Sequence, residues 1–573
     1  MPTSRLLSAI LAASSFIVGA PAFAQIQRVT FVGDGPDHQM GRSFGGGRDL
    51  TLDGKPDFIV GARGVAGSAT FAGRAYLFSG NGAFIRTFSG ATAGDEFGVS
   101  VALVDDVNGD GTDDILIGAR GFDGTAGVNS GRAYLYRGET SSHTNDYQLI
   151  ATFDGPDAGA NFGHSVADIG DVDGDGFGDF AIGASYINAA APGKVFVYSG
   201  VTMLPLATLT SGGAVADSFG YWVCKAGDVD GDGFGDLAVS ATTEATPPVG
   251  TAGMVRIFRG ATPGNVANFS LFRAYPGEQH QQHFGISMSG AQDQNNDGVP
   301  DLLIGSNLFD GPGEPAYDNR GKAYVYSGAD GSLLWSRVGS EYKDWFGIGV
   351  AMAGNLDGHG GSEFLVGACQ TEKGGKGHVY GYSGTGVDPL FDIIGELGSG
   401  AAGQGDAFGF SVGNLLDMDG DGANEFFGGS YGYDGFGGVN AGKGYVFSSA
   451  VRCLHVDLPP PHVLKSYSQG WPRLGNTIFL RIEGAPAFSF GVFALSPELN
   501  AQPFFGGTLF LDLVAILPIP VFADAFGKFE YPIPLPTDSL FLGLTIHVQA
   551  GFLDASQVLG VAHSNLLTLT TFL

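Results

Sequence analysis

A 23-residue pattern recurs seven times between Met40 and Ser430, and it restricts the fold more than any other feature of the chain. The clearest copy is FGHSVADIGDVDGDGFGDFAIGA, from Phe162 to Ala184. Ungapped copies begin at Phe97, Phe219, Phe284, Phe346 and Phe408, and the most divergent begins at Met40, where Met replaces Phe. Each closes on an acidic residue followed by an apolar run: Asp57, Asp114, Asp179, Asp236, Asp301, Glu363 and Glu425. These recur at intervals of 57 to 65 residues. Internal repetition at this scale is the mark of a closed or stacked array.

Each repeat reads as four short strands. In the third they are expected near Ser165–Ile169 and Phe180–Ala184. In the second, the later two are expected at Gly131–Tyr136 and Ile150–Phe153. Short apolar strands between Gly-rich turns argue for an all-β fold. Four strands per repeat, arrayed radially, argue for a β-propeller with seven blades. Arg28–Phe31 precedes the first copy as Ala151–Phe153 precedes the third, and nothing similar follows Gly442–Phe447. The N-terminal strand is therefore expected to complete the seventh blade. Glycine fills 97 of 573 positions while 44% of residues are hydrophobic, so the glycines belong to turns and close strand packing rather than to disorder.

Within each copy lies a loop of the form D-x-[DN]-x-D-G-x-x-[DE]. Carboxylates two residues apart on a tightly turned backbone point into one hollow, a hard-oxygen site suited to Ca²⁺. Four carboxylates confined there repel, by ~1 kcal/mol per pair at 4 Å even in water, so a cation is the natural counter-charge. Five loops carry the full set: Asp106/Asn108/Asp110/Asp114, Asp171/Asp173/Asp175/Asp179, Asp228/Asp230/Asp232/Asp236, Asp293/Asn295/Asp297/Asp301 and Asp417/Asp419/Asp421/Glu425. The first copy, Asp49/Thr51/Asp53/Asp57, has one neutral ligand and is expected to be weaker. The sixth, Asn355/Asp357/His359/Glu363, puts an imidazole among the ligands and is expected to stay empty. Five Ca²⁺ sites and a weaker sixth follow. An EF-hand is excluded, because its twelfth loop position needs a carboxylate. That position here is apolar or glycine, as at Ile117, Ile182 and Gly428.

Acidic residues number 58 against 28 basic ones, for a net charge of −30, and 23 of the acidic residues occupy these loops. So acidic a chain is not built for nucleic acid, which needs clustered Lys and Arg. At ~1 mM calcium a site with Kd ~10⁻⁴ M contributes roughly 1.4 kcal/mol by linkage, so several together make calcium structural.

The loop pattern and its Phe-Gly and Gly-Ala flanks resemble the FG-GAP repeats of the integrin α-subunit β-propeller. The resemblance runs from Gln25 to about Ala450. It implies calcium in outward-facing loops on one face, ligand binding on the opposite face, and a role in adhesion or extracellular recognition. Met40 and the degenerate first and sixth loops depart from that pattern, and no integrin-type leg or membrane helix is apparent after the repeats.

Residues 1–24 read as a secretory signal peptide: Arg5, an apolar core from Leu6 to Ala20, and Ala22-Phe23-Ala24 before Gln25. The mature protein is expected to be secreted or held at the cell surface. Val514–Phe522 is apolar but contains Pro518 and Pro520 and is too short to span a membrane. Cys224, Cys369 and Cys453 read as small buried hydrophobes. The propeller, 25–450, is expected to give way to a Pro-rich linker, 451–461, and a small β-sandwich, 462–573. That tail resembles the C-terminal sandwiches of large secreted bacterial proteins. Its strands are expected at Thr477–Ile482, Phe488–Leu495, Thr508–Leu513, Lys528–Ile533, Leu544–Ala550 and Leu566–Phe572. No G-x-S-x-G or H-E-x-x-H occurs, His280 and His283 read as a polar loop, and His164 reads as packed, so no enzyme is expected. The partner is expected to be an extracellular protein or a glycan. The alternatives are a carbohydrate, as in a lectin-like propeller, or a role as the non-catalytic module of a secreted hydrolase.

Overall fold

The structure is a computed structural model. It describes residues 25–449 apart from loop segments such as 65–71, 139–146, 187–190, 261–268, 358–360, 397–404 and 435–438, and beyond 449 it describes strand backbone. The segment read as a signal peptide and the proline-rich stretch 455–476 lie outside the described residues. Residues 25–449 form one compact unit and the chain from 450 onward belongs to another. The only described helix is a single 3₁₀ turn, Thr371–Lys373. Among the described residues no helix is long and apolar enough to cross a membrane.

Residues 25–449 form seven antiparallel four-stranded sheets, one per repeat. In the third blade the strands are Phe162–Gly170, Asp179–Ala184, Lys194–Tyr198 and Pro205–Thr210, in that order from the inside outward. The first strand of each blade packs on the first strands of both neighbouring blades, so these strands ring a common axis. The second strand is buried along its whole length in every blade, which is why it reads as an unbroken apolar run. The seventh blade takes its outer strand from the N-terminus: Gln25–Val32 pairs with Lys443–Ser449, Val32 opposite Lys443. The ring is thereby closed without an open seam.

The Phe-Gly and Gly-Ala pairs now have a physical reason. The leading Phe of each repeat, or Met40, is at most 2% exposed and fills the core between blades. Burying one such ring contributes ~1.5–3 kcal/mol. The Gly that follows has a left-handed backbone, φ +81° at Gly163, that a β-carbon would strain. Its carbonyl faces the Gly-Ala pair of the preceding blade. A β-carbon on Gly118 would lie 2.0 Å from the Gly163 oxygen. The same carbonyl accepts a hydrogen bond from Ser100 Oγ at 2.9 Å. The bond recurs from Ser43 to Gly98, Ser165 to Gly220, Ser287 to Gly347 and Ser411 to Gly41, at 2.7–3.1 Å. The last of these joins the seventh blade to the first.

After residue 449 the strands form sheets of three, five and two members. Thr477–Ile482 is a strand as expected, and Phe490–Ser496, Gly507–Leu511, Phe529–Pro534, Thr545–Leu553 and Leu567–Thr570 differ from expectation only at their ends. Leu517–Phe522 is also a strand, although it carries Pro518 and Pro520. It sits at the edge of its sheet, where a missing N–H costs no ladder bond. Arg452–Leu454, inside the stretch read as linker, pairs in parallel with Ile478–Leu480.

The inter-blade contact makes a direct prediction. A β-carbon at Gly183 would sit 2.2 Å from the Gly220 oxygen. Gly183→Ala is expected to cost about 1–3 kcal/mol of stability, read from denaturant unfolding. An unchanged midpoint would show that the blades are free to separate there.

Candidate functional site: the acidic loops and the axis

Each acidic loop joins the first strand of a blade to the second, so the loops share one face of the propeller. The third blade shows how the backbone is wound. Asp171 accepts from the backbone N–H of Gly174 at 2.6 Å and of Gly176 at 2.9 Å. Asp173 accepts from Asp175 N–H at 3.1 Å, and Asp175 from Phe177 N–H at 2.9 Å. Positions 4 and 6 are both left-handed, with φ +75° at Gly174 and +90° at Gly176. The hooked path turns the side chains at positions 1, 3 and 5 inward.

The ninth position has a different task. Asp179 is fully buried and accepts from Val172 N–H at 2.8 Å and from Gly200 N–H, in the next turn of the same blade, at 3.0 Å. Asp114 does the same with Val107 and Gly138, Asp236 with Val229 and Gly260, and Asp301 with Gln294 and Gly328. Glu363 and Glu425 accept from Leu356 and Met418. The residue thus ties the loop to the blade. Burial, together with the neighbouring carboxylates, pushes the carboxyl up to about 8 in Asp114, about 7 in Asp179 and about 6 in Asp236, and raises Asp301 as well. Such groups gain most from a cation beside them.

Three loops bring three carboxylate oxygens within 4.8 Å of one another: Asp171/Asp173/Asp179, Asp228/Asp230/Asp232 and Asp417/Asp419/Glu425. Two other full loops have an amide at position 3. Asn108 Nδ2 donates to Asp114 at 2.8 Å, and Asn295 Nδ2 to Asp297 at 2.8 Å. Asp106 and Asp293 cap their loops as Asp171 does, through the N–H groups of Gly111 and Gly298. Asp110 accepts from Thr112, Asp232 from Phe234 and Asp421 from Ala423. In the first loop Asp49 accepts from Asp53 and Gly54, but Asp57 takes the N–H of Thr51 at position 3 rather than position 2. Leu52 is forced to φ +57° there, a cost of ~1–2 kcal/mol. In the sixth loop His359 lies outside the described residues. One feature of the fourth loop was missed in the sequence: Arg259 Nε lies 2.7 Å from Asp230 Oδ2, on the third strand's exit.

A second cluster missed in the sequence lies along the axis at the loop end. Arg48 donates to Asp105, to Asp113 at 3.2 Å and to Asp168 at 2.8 Å, at the wall of a cavity of about 610 Å³. The signal was present as charged residues, Arg48, Asp105 and Asp168, near the end of the first strand at positions that are mostly uncharged in the other copies. Cys224 is half-buried at this wall and Cys369 is buried. Burial pushes the two thiols up to about 12 and about 11, so neither is a nucleophile. His280 and His283 occupy turns that enter the fifth blade, with His280 Nδ1 3.4 Å from Thr251 Oγ1.

The FG-GAP repeat family profile matches residues 97–136 and 219–258. The chain is 33% identical over 218 residues to integrin alpha-PS2 of Drosophila melanogaster, which is 36% of this chain and 15% of that protein. It is 36% identical over 209 residues to integrin alpha-5 of Xenopus laevis, covering 34% of this chain and 19% of that protein. To integrin alpha-8 of Gallus gallus it is 31% identical over 217 residues, 36% and 20% of the two chains. The chain thus spans a fifth or less of these relatives' length. The fold is a seven-bladed β-propeller, and its second and fourth blades match the FG-GAP repeat profile. Over that part of its length the chain is similar to integrin α subunits.

Two predictions follow from the site. The ninth carboxylate holds the loop without help from a cation. Asp179→Ala is therefore expected to lose about 1–3 kcal/mol in chelator, from two buried N–H groups left unpaired. Asp175→Asn, whose carboxylate accepts only inside the loop, is expected to leave chelated stability almost unchanged, and equal losses would refute this division of labour. The second concerns His164, near the axis, whose Nδ1 lies 3.0 Å from the Tyr221 carbonyl. Burial and the nearby Arg120, Arg63 and Arg42 hold its pKa well below the usual imidazole range. The unfolded chain gains that proton near pH 6.5 and the native chain does not. Stability is therefore present above about pH 6.5 and lost as pH falls, by roughly 1.4 kcal/mol per unit. His164→Asn should remove that part of the slope between pH 6 and 5, and identical slopes would refute it.

Proposed function

We propose that the protein is an exported, calcium-stabilised β-propeller that acts in extracellular recognition or adhesion, and that it is not an enzyme. The observation that carries the metal reading is the convergence of three carboxylate oxygens in each of three equivalent loops. The donors are all hard oxygen, and the position-7 carbonyl is available as a further ligand. That chemistry favours Ca²⁺ over transition metals. The full assignment is five sites: Asp106/Asn108/Asp110/Asp114, Asp171/Asp173/Asp175/Asp179, Asp228/Asp230/Asp232/Asp236, Asp293/Asn295/Asp297/Asp301 and Asp417/Asp419/Asp421/Glu425. Asp49/Thr51/Asp53/Asp57 forms a weaker sixth. In the fourth loop Arg259 must release Asp230 before a cation can use it, so that site should fill last of the five.

Similarity to integrin α subunits over the repeats supports recognition of an extracellular protein. A cation in each loop would hold positions 1 to 9 together and so stiffen the face opposite the Phe-Gly turns. The metal's role here is structural, and ligand recognition falls to surfaces that vary between blades.

Thermal unfolding of the purified protein in calcium and in chelator, with metal content measured on the same sample, tests the reading. About five ions per chain and a midpoint raised well above the chelated value are expected. At 1 mM calcium, sites of Kd ~10⁻⁴ M would give roughly 1.4 kcal/mol each. No bound calcium and no shift would reduce the loops to acidic turns. Arrays of extracellular proteins and of glycans, probed with the calcium-loaded protein, test recognition. Capture by glycans alone would replace the adhesion reading with a lectin-like one.

A further inference from the structure

At the end of the axis away from the acidic loops, the chain gathers positive charge that it does not neutralise. Arg42 follows the leading Met-Gly of the first repeat, and Arg63 and Arg120 follow the Gly-Ala pairs of the first and second. They lie within electrostatic reach of one another and of Tyr221 in the fourth blade, which only the axis permits. Among the described residues one carboxylate, Glu96, bonds two of these guanidinium groups and lies within electrostatic reach of Arg42. Glu96 Oε2 accepts from Arg63 at 2.8 Å and from Arg120 at 2.9 Å. His164, beside them, is held neutral. Three cations against one anion leave a surplus of two, inside a protein whose net charge is −30.

The donors themselves show what is missing. Arg63 is 11% exposed, and its Nε is buried with no hydrogen-bond partner among the described residues. Burial and the neighbouring arginines push Arg63 down to about 9. The Arg42 guanidinium lies 4.5 Å from the centre of the Phe410 ring and 4.8 Å from that of Tyr431, contacts that fix its position but use none of its N–H groups. Ser185 Oγ and Trp345 Nε1, at repeat positions equivalent to Arg63 and Glu96, are likewise buried without a partner. Buried donors and unmatched cations are costly unless an anion meets them.

The opposite half of the same ring is apolar. Tyr221, Ile286, Ile348 and Phe410 hold, in blades four to seven, the position that Arg42 and His164 hold in blades one and three. Ile286, Ile348 and Phe410 pack in one cluster with Tyr221 and Trp345. We propose that this axial cup is a carboxylate-binding site: Arg42, Arg63 and Arg120 take an Asp or Glu side chain of a protein ligand, while the Ile286/Ile348 side takes an apolar neighbour of that residue. Ile286 and Ile348 give that side an aliphatic surface suited to the apolar side chain of a peptide. This deepens the recognition reading above and rests on it.

The test uses the full-length, calcium-loaded protein on an array of immobilised decapeptides that present Leu-Glu-Leu or Leu-Gln-Leu at the centre, with polygalacturonate spots beside them. Retention at least tenfold stronger on the Glu members is expected. Arg63→Gln and Arg120→Gln should each abolish that difference. Lys225→Gln, which removes a cation lining the cavity beside Arg48 at the loop end of the axis, should keep it. Unfolding midpoints within a few degrees of the parent certify that each variant is folded. Equal retention of Glu and Gln peptides overturns the proposal, as does capture by polygalacturonate alone or a loss that Lys225→Gln shares. If an extracellular protein found on the array above is bound equally by the parent and by Arg63→Gln, the cup falls and the recognition reading stands. If the parent binds no extracellular protein or peptide, both fall.

Discussion

The structure depends on how closely the backbone of one blade can approach that of the next. At six of the seven junctions a carbonyl oxygen of the Phe-Gly turn sits where a β-carbon on the preceding blade's glycine would be, 2.0 Å from it at Gly118. At those six junctions the approach is too close for any residue but glycine. The serine bond to the same carbonyl then satisfies an acceptor that the close approach would otherwise bury. Neither element is strong alone. Repeated around the ring, they fix the angle between sheets, and that angle decides how many blades close it. The fourth blade, which has Ser240 in place of the second glycine, keeps the ring by a local change: Ser240 Oγ turns to accept from Trp222 N–H.

The acidic loop is built on the same logic of giving each polar atom a fixed use. Its first carboxylate caps the turn and its ninth ties the turn to the blade. What remains free is a small number of oxygens facing inward. The two ends of the axis therefore differ in kind. One end offers carboxylate oxygens in seven similar loops, so its chemistry is repeated. The other is made from the positions where the repeats disagree, so its chemistry is singular. Arg42, His164, Tyr221 and Phe410 are equivalent in the repeat and have nothing else in common.

That contrast also explains what could be read in advance. Aligning seven copies displays what they share: the blade count, the closing strand, the buried phenylalanines and the hooked loop. It hides what they do not share. Arg48 and its partners Asp105, Asp113 and Asp168 come from three different repeats, and no single copy signals that they meet. The arginine cup is invisible for the same reason. In the C-terminal part the miss has another cause. Leu517–Phe522 reads in the sequence only as an apolar stretch too short to cross a membrane, and its two prolines are accommodated because the strand lies at the edge of its sheet. Edge position is a property of the sheet, not of the segment.

The closing strand carries a consequence for the chain in time. Gln25–Val32 finds its partner only when Lys443–Ser449 exists. At a synthesis rate of ~5–20 residues per second, the chain between them takes roughly 20–80 s to make. Throughout that interval six blades can form behind one another while the first strand stays unpaired and the inner strands of the end blades lack a neighbour. The nascent protein is thus an open arc with a sticky edge at each end, and its last-made blade is also its lock. Any factor that shields residues 25–32 during that time would act on assembly without touching the finished ring.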